Sequence, residues 1–283
     1  MILVTGAAGK TGQAVVRALI ARDQAVRAWV RRPEQAETLE RIGAREVVIG
    51  SMEDPETFDN AARGIEAIYL ICPNMFPEEI TLGEIAIRGA RRAGCRRLVY
   101  HSVLHPQVEA MPHHWAKMRV EERLFESGLQ CTILQPAAYM QNLLASWEAI
   151  VERGVYEVPY STKAPFSLVD LHDVAEAAAI ALTTPGHEGA IYELCGPEVL
   201  SSAEAAAVMQ RVLDRPVRAE ALALNTWTAK AKASGLGGYA LDGLVKMFRY
   251  YDQYGFWGSS RVLEGLLGRK PSSFESFLAN QGG

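Results

Sequence analysis

Short apolar runs and longer amphipathic stretches alternate six times between Met1 and Gly154, and no other feature of the sequence restricts the fold as strongly. ILV leads into GKTGQAVVRALIAR, AVRAWV into PEQAETLERIG, and EVVIG into DPETFDNAARG. EAIYLI precedes PEEITLGEIAIRGARRAG, RLVYHS precedes MPHHWAKMRVEERLFESGL, and CTILQP precedes YMQNLLASWEAIVERG. Parallel strands need a connection long enough to return to the starting edge, and a helix supplies it. AIYLI and CTIL are apolar without alternation, as strands covered on both faces must be. In the first helix Val15, Val16, Leu19 and Ile20 share one face. The fold class is therefore α/β, a doubly wound parallel sheet over residues 1–154.

Past Gly154 the rhythm changes. YEVPY, FSLVD, AIYELCG and VRAEAL read as strands. LHDVAEAAAIALTT is a helix with Asp173 in its first turn, and SSAEAAAVMQRVL a helix capped by Ser201 or Ser202. At least two more helices and the aromatic run MFRYYDQYGFWG follow. Residues 155–283 are expected to form mainly a smaller C-terminal α/β substrate lobe, with some segments returning to the main sheet.

The chain of 283 residues is 49% hydrophobic and 22% charged, the balance of a globular protein. A formal net charge of -4 without a long basic run argues against a phosphate-tracking surface, so no nucleic-acid partner is expected. Cys72, Cys95, Cys131 and Cys195 form no CxxC pair and read as buried reduced thiols; no metal is expected. The sequence enters a strand at once, and no apolar run reaches the ~20 residues of a membrane span. The expectation is a cytoplasmic protein with no membrane partner, monomeric or homodimeric.

VTGAAGKTG sits at the first strand–helix junction. Gly6 allows a tight turn, Gly9 lets a pyrophosphate approach the backbone, and Gly12 allows close packing of helix on strand. Lys10 and Thr11 open the helix whose N-terminus would face the phosphates. The spacing is GxxGxxG rather than GxGxxG. At this junction it indicates a Rossmann-type dinucleotide site. The second strand ends in Arg31 and Arg32, where an NAD site usually carries an acidic residue for the ribose hydroxyls. Guanidinium groups suit a 2'-phosphate, so NADP(H) is the preferred cofactor and NAD(H) the lesser alternative. Two solvated surface charges are the competing reading. Ser51 and Met52, Cys72 and Pro73, and Ser102 close the third, fourth and fifth strands, where open α/β sheets bind ligands. The first pair is expected near the adenine and the second near the nicotinamide half.

VTGAAGKTG, RRPEQ, ESGLQCTILQPAAYMQN and SLVDLHDVAEAAA together resemble the NmrA-like family, atypical members of the short-chain dehydrogenase/reductase superfamily. The similarity extends to YYDQYGFWG and LLGRKPSSFESF near the end. It implies a Rossmann-type domain, an NAD(P)(H) site and a small C-terminal lobe. It also implies one of two functions: reduction of quinones, azo compounds or triphenylmethane dyes, or non-catalytic sensing of the nucleotide for a protein partner.

Typical short-chain dehydrogenases place a serine at the end of the fifth strand and a YxxxK pair on the next helix. By that resemblance Ser102 matches the serine and Lys117 the lysine that holds the nicotinamide ribose, while His113 stands where the proton-donating tyrosine would be. Positions 113 and 117 share a helix face. Imidazole is a competent general acid near neutral pH, and electron-poor acceptors need less acid assistance. The plainer readings are that His113 and His114 only pack, and that Lys117 pairs with Glu121 one turn on. Tyr139, Met140, Gln141, Asn142, Trp147, Tyr250, Tyr254, Phe256 and Trp257 are candidates to line a pocket for a flat, aromatic or conjugated substrate, or else to form the lobe's core.

Overall fold

The computed structural model describes residues 1–281. The chain forms two compact units. The first comprises Met1–Gln107, His114–Gln135 and Val174–Tyr192, and the second Val108–His113, Pro136–Asp173 and the residues from Glu193 on. The expected boundary at residue 154 thus falls inside the second unit, which takes up Pro136–Asp173.

The sheet of the first unit contains β1 (Ile2–Val4), β2 (Val26–Val30), β3 (Glu46–Ile49), β4 (Ala67–Leu70), β5 (Arg97–His101) and β6 (Gln130–Pro136). The connections are α1 (Lys10–Ile20), α2 (Ala36–Ile42), α3 (Pro55–Ala61), α4 (Glu79–Arg92) and α5 (Pro112–Glu126). The strand order is β3-β2-β1-β4-β5-β6, with the later strand β10 (Ile191–Leu194) beside β6. β1 through β6 pair in parallel. β1 therefore lies between β2 and β4, the point where the connections reverse direction and a crevice opens at the carboxyl ends. As the amphipathic pattern requires, α1 buries Val15, Val16 and Leu19. Trp29, Phe58, Leu70, Leu82, Val120 and Leu124 belong to the core on the α3–α5 side of the sheet.

The second unit has two small sheets. One is β11 (Val199–Ser201), β9 (Pro165–Val169) and β7 (Ala138–Tyr139); the other pairs β12 (Arg218–Ala221) with β8 (Val155–Val158). The stretch read as one helix after the sixth strand is in fact a 3-10 segment, Met140–Ser146, followed by α6 (Trp147–Arg153). Gln141 explains the break. Its side-chain amide donates to Asp170 at 2.8 Å and its carbonyl oxygen accepts the Leu171 N–H at 3.0 Å, pinning the segment to the start of α7 (Leu171–Thr183). Ser201 caps α8 (Ser202–Leu213) in a reciprocal box with Glu204. α9 (Leu224–Ala233), α10 (Gly238–Tyr254), α11 (Arg261–Leu267) and α12 (Phe274–Ala279) complete the unit. Asp173 is 1% exposed; it accepts from Arg269 Nη2 at 2.7 Å and from the Ser272 N–H at 2.6 Å. The motifs SLVDLHD and GRKPSS are thus two halves of one buried junction. All four cysteines are buried thiols. Among the described residues no helix is long and apolar enough to cross a membrane.

Candidate functional site

Backbone contacts that a side chain would obstruct build the loop between β1 and α1. Gly6 has φ +57°, in the left-handed region. Its carbonyl accepts the Gly9 N–H at 3.0 Å, closing the turn. A Cβ at Gly12 would lie 2.4 Å from the Gly6 oxygen and 2.6 Å from the Ala7 Cα, so α1 rests directly on the loop. Gly9 caps α1 with no side chain. The amides of Lys10, Thr11 and Gly12 lack intrahelical acceptors, and with the positive end of the helix dipole they suit a phosphate. Lys10 is exposed and Thr11 half-buried.

Thr5 and Trp29 hold the loop in register. Thr5 Oγ1 donates to the Ile71 carbonyl at 2.9 Å and accepts the Ile71 N–H at 2.8 Å. The Ala7 N–H donates to the Trp29 carbonyl at 3.1 Å, and the Trp29 indole donates to the Gly50 carbonyl at 2.9 Å. Arg31 and Arg32 follow β2 at the same edge and are exposed. Gln35 accepts the Arg32 N–H at 3.0 Å, fixing the backbone there. Ser51 is engaged locally, donating to Glu53 at 3.1 Å and accepting the Glu53 N–H at 3.2 Å. Met52 packs half-buried against the core. Cys72 is buried and Pro73 exposed.

At the carboxyl ends of β4 and β5 lies a polar cluster inside the first unit. Lys117 Nζ is 2.8 Å from Glu79 Oε1, and Tyr100 donates to the same oxygen at 2.8 Å. The ammonium lies 5.5 Å from the centre of the Tyr100 ring. Cys72 lies against the same carboxylate. Burial works most strongly against the charge on Lys117, but Glu79, Cys72 and Glu121 together outweigh it and the pKa stands above the usual lysine value. Burial, with Glu79 adding to it, pushes Cys72 and Tyr100 well up. The paired reading of Lys117 with Glu121 is corrected: the partner is Glu79. Glu121 instead takes hydrogen bonds from Ser102 and, at 3.0 and 3.1 Å, from Gln135. Burial raises the Glu121 pKa against those bonds. His101 Nδ1 is 2.6 Å from the Tyr69 hydroxyl, and burial, helped by Lys117, lowers its pKa to about 3, leaving a neutral imidazole.

His113 and His114 differ in setting. His113, buried, ends the segment assigned to the second unit. His114, buried in the first unit, directs Nδ1 to the His105 carbonyl at 3.3 Å, a packing role.

The aromatic candidates divide. Phe256 is core: it stacks on Tyr251 at 5.0 Å, and its backbone bonds to Pro165 and Ser167 join α10's end to β9. Trp147 packs half-buried on the cluster of Met140, Leu143, Ile150 and Met209. Phe256 therefore belongs to the core, whereas Trp147 keeps a half-buried face beside its cluster. Tyr139 lies half-buried on β7 beside Val169 of β9, and Asn142 is exposed. Tyr250 and Tyr254 rings are 4.9 Å apart, and Trp257 is 53% exposed.

Sequence reasoning missed Thr5, Glu79, Tyr100 and Gln135, and gave Glu121 the wrong partner. Glu79 left a signal. It shares a helix face with Leu82, Gly83 and Ala86, so a carboxylate stands on the buried side of α4.

A glycine-built strand–helix junction at the switch point of a β3-β2-β1-β4-β5-β6 sheet defines a Rossmann-type α/β protein. The profile of the NmrA-like family matches residues 1–278, and the chain belongs to that family. It is 33% identical over 242 residues to the NAD(P)H azoreductase of Xenophilus azovorans, covering 84% of this chain and 82% of the relative. It is 37% identical over 228 residues to (4-alkanoyl-5-oxo-2,5-dihydrofuran-3-yl)methyl phosphate reductase of Streptomyces griseus, covering 80% and 78%. The crystal structure of the Escherichia coli NADPH-dependent quinone oxidoreductase in complex with NADPH superposes with a TM-score of 0.88 at 26% identity, over 100% of both chains.

Proposed function

We propose that this protein is an NADPH-dependent reductase of conjugated, electron-poor small molecules, with quinones and azo or triphenylmethane dyes as the substrate class. The likeness over the whole chain to an NADPH-bound quinone oxidoreductase carries the reading. Two relatives above 30% identity are named as reductases, an NAD(P)H azoreductase and a (4-alkanoyl-5-oxo-2,5-dihydrofuran-3-yl)methyl phosphate reductase.

The residues present fit a dinucleotide. Gly9 leaves the approach to the α1 amides open, with only the Gly6 oxygen within contact range of a Cβ there, at 3.4 Å. We assign Arg31 and Arg32 to the 2'-phosphate and Lys117 to the nicotinamide ribose. When bound, the cofactor supplies hydride, and the protein's task is to orient it and the acceptor. Conjugated acceptors delocalise the arriving charge, which suits a site with His113 in place of a tyrosine acid. Ser102, held by Glu121, is assigned to orienting the acceptor. Tyr139, Asn142, Tyr250 and Trp257 of the second unit are kept as candidates for contacting a flat substrate.

The test is the loss of NADPH absorbance in the near ultraviolet against a panel of quinones, azo dyes and triphenylmethane dyes. Turnover is expected. Tight NADPH binding with no turnover across the panel would overturn the enzyme reading in favour of a nucleotide sensor.

A further inference from the structure

We propose that Glu79 is the positioning residue for Lys117: it fixes the ammonium at the carboxyl ends of β4 and β5 and keeps it charged for the cofactor. The inference rests on the reading of Lys117 as a cofactor contact.

The geometry is unusually complete for a residue outside any motif. Glu79 is the first residue of α4 and is 3% exposed. One of its oxygens takes both the Lys117 ammonium and the Tyr100 hydroxyl, each at 2.8 Å. Tyr100 is fully buried on β5, so it fixes the carboxylate from the strand side while its ring faces the ammonium. A carboxylate on this face of α4 would carry a large desolvation penalty without such partners. An ammonium has three donors. Glu79 takes one, which sets the direction of the other two, and a pair of ribose hydroxyls matches two donors on one nitrogen.

The groups facing Lys117 come from each neighbouring element. They are Cys72 after β4, Glu79 on α4, Tyr100 and His101 on β5, and Glu121 on its own helix. Burial opposes the Lys117 charge, and Glu79 is the largest influence holding it. Without that carboxylate the largest support for the charge is gone and burial weighs more heavily, so the lysine loses its proton at lower pH. Tyr100, kept protonated by burial, cannot substitute.

The experiment is NADPH affinity by fluorescence titration at several values between pH 7 and pH 10, for wild type, E79Q, K117M and E79Q/K117M. In E79Q the dissociation constant is expected to match wild type within a few-fold near neutrality, then to weaken by about tenfold or more as pH rises, the loss of a charged hydrogen-bond donor. K117M should bind weakly at every pH, and the double variant should show no additional titration. A merely structural Glu79 would lower stability without adding that limb. Parallel profiles for E79Q and wild type, or an unchanged affinity in K117M, would overturn the proposal. Should E79Q not fold, E79D decides: it keeps the counter-charge, so its profile should stay parallel to wild type, and a new limb would overturn the idea. No acceptor enters these measurements. Failure of the dye panel therefore leaves this result standing, and the reverse also holds.

Discussion

Replacing Gly9 and Gly12 separately by alanine should split two effects that a single glycine substitution would merge. At Gly12 the added Cβ falls 2.4 Å from the Gly6 oxygen and 2.6 Å from the Ala7 Cα, both backbone atoms. Ordinary contacts of a Cβ begin near 3.4 Å, so loop and helix must separate by roughly 1 Å. The loop cannot drift freely, because Ala7 is bonded to Trp29 at 3.1 Å and Thr5 to Ile71 at 2.9 Å. Overpacking of this kind costs about 1–3 kcal/mol. Alanine's better helix propensity returns at most about 1 kcal/mol, so the clash wins. Gly9 differs: its φ of -73° and ψ of 165° are open to alanine, and a Cβ meets only the Gly6 oxygen at 3.4 Å. G12A should therefore melt a few degrees lower, at roughly 2–4 °C per kcal/mol, and also bind NADPH less tightly. G9A should keep the wild-type melting temperature while losing tenfold or more in NADPH affinity, since its methyl group occupies the phosphate approach. Differential scanning calorimetry of the free protein and fluorescence titration with NADPH separate the two quantities. A G12A protein as stable as wild type would refute the packing argument. A G9A protein with unchanged affinity would refute the placement of the phosphates.

Replacing Arg31 and Arg32 together by alanine should reduce preference for NADPH over NADH by about tenfold or more, with NADH affinity little changed; paired titrations with the two cofactors measure it. D173N should destabilise the fold by about 1.5–3 kcal/mol, because the bonds from Arg269 and Ser272 lose their charged acceptor, a change read by thermal melting. His101 has a folded pKa of about 3 against the ordinary histidine value of 6.5, so below pH 6.5 the unfolded chain binds the extra proton and stability falls as pH drops towards 3. Chemical denaturation of wild type and H101Q from pH 7 to pH 4 should show a shallower acid loss in the variant; equal slopes would contradict a buried neutral imidazole.

The strand–helix alternation and the glycine junction were legible because both are local: a period, a run length and a triplet of small residues. Side-chain pairing across elements was less accessible. Lys117 suggested Glu121 by helical spacing, yet the ammonium reaches Glu79 on a different helix, 38 residues away in sequence. Such a pair depends on how two helices lie on one sheet, which no window of sequence contains. The aromatics show the same limit. Phe256 and Trp257 are neighbours in sequence, but one stacks on Tyr251 in the core while the other is half exposed. The break before α6 was hidden for a further reason. Met140–Ser146 has helical composition, and the agent that tightens it is Asp170, 29 residues from Gln141.

Thr5 has a wider bearing on the crevice. In a parallel ladder each rung is formed by main-chain groups, and where β1 and β4 part company the rungs should stop. Here one hydroxyl acts as both donor and acceptor to the main chain of Ile71, at 2.9 and 2.8 Å, and adds a rung made by a side chain. The two strands are stitched one step beyond their last peptide pairing. The spacing of β1 and β4 where the crevice begins is thus held by the side chain of residue 5 as well as by the peptide ladder.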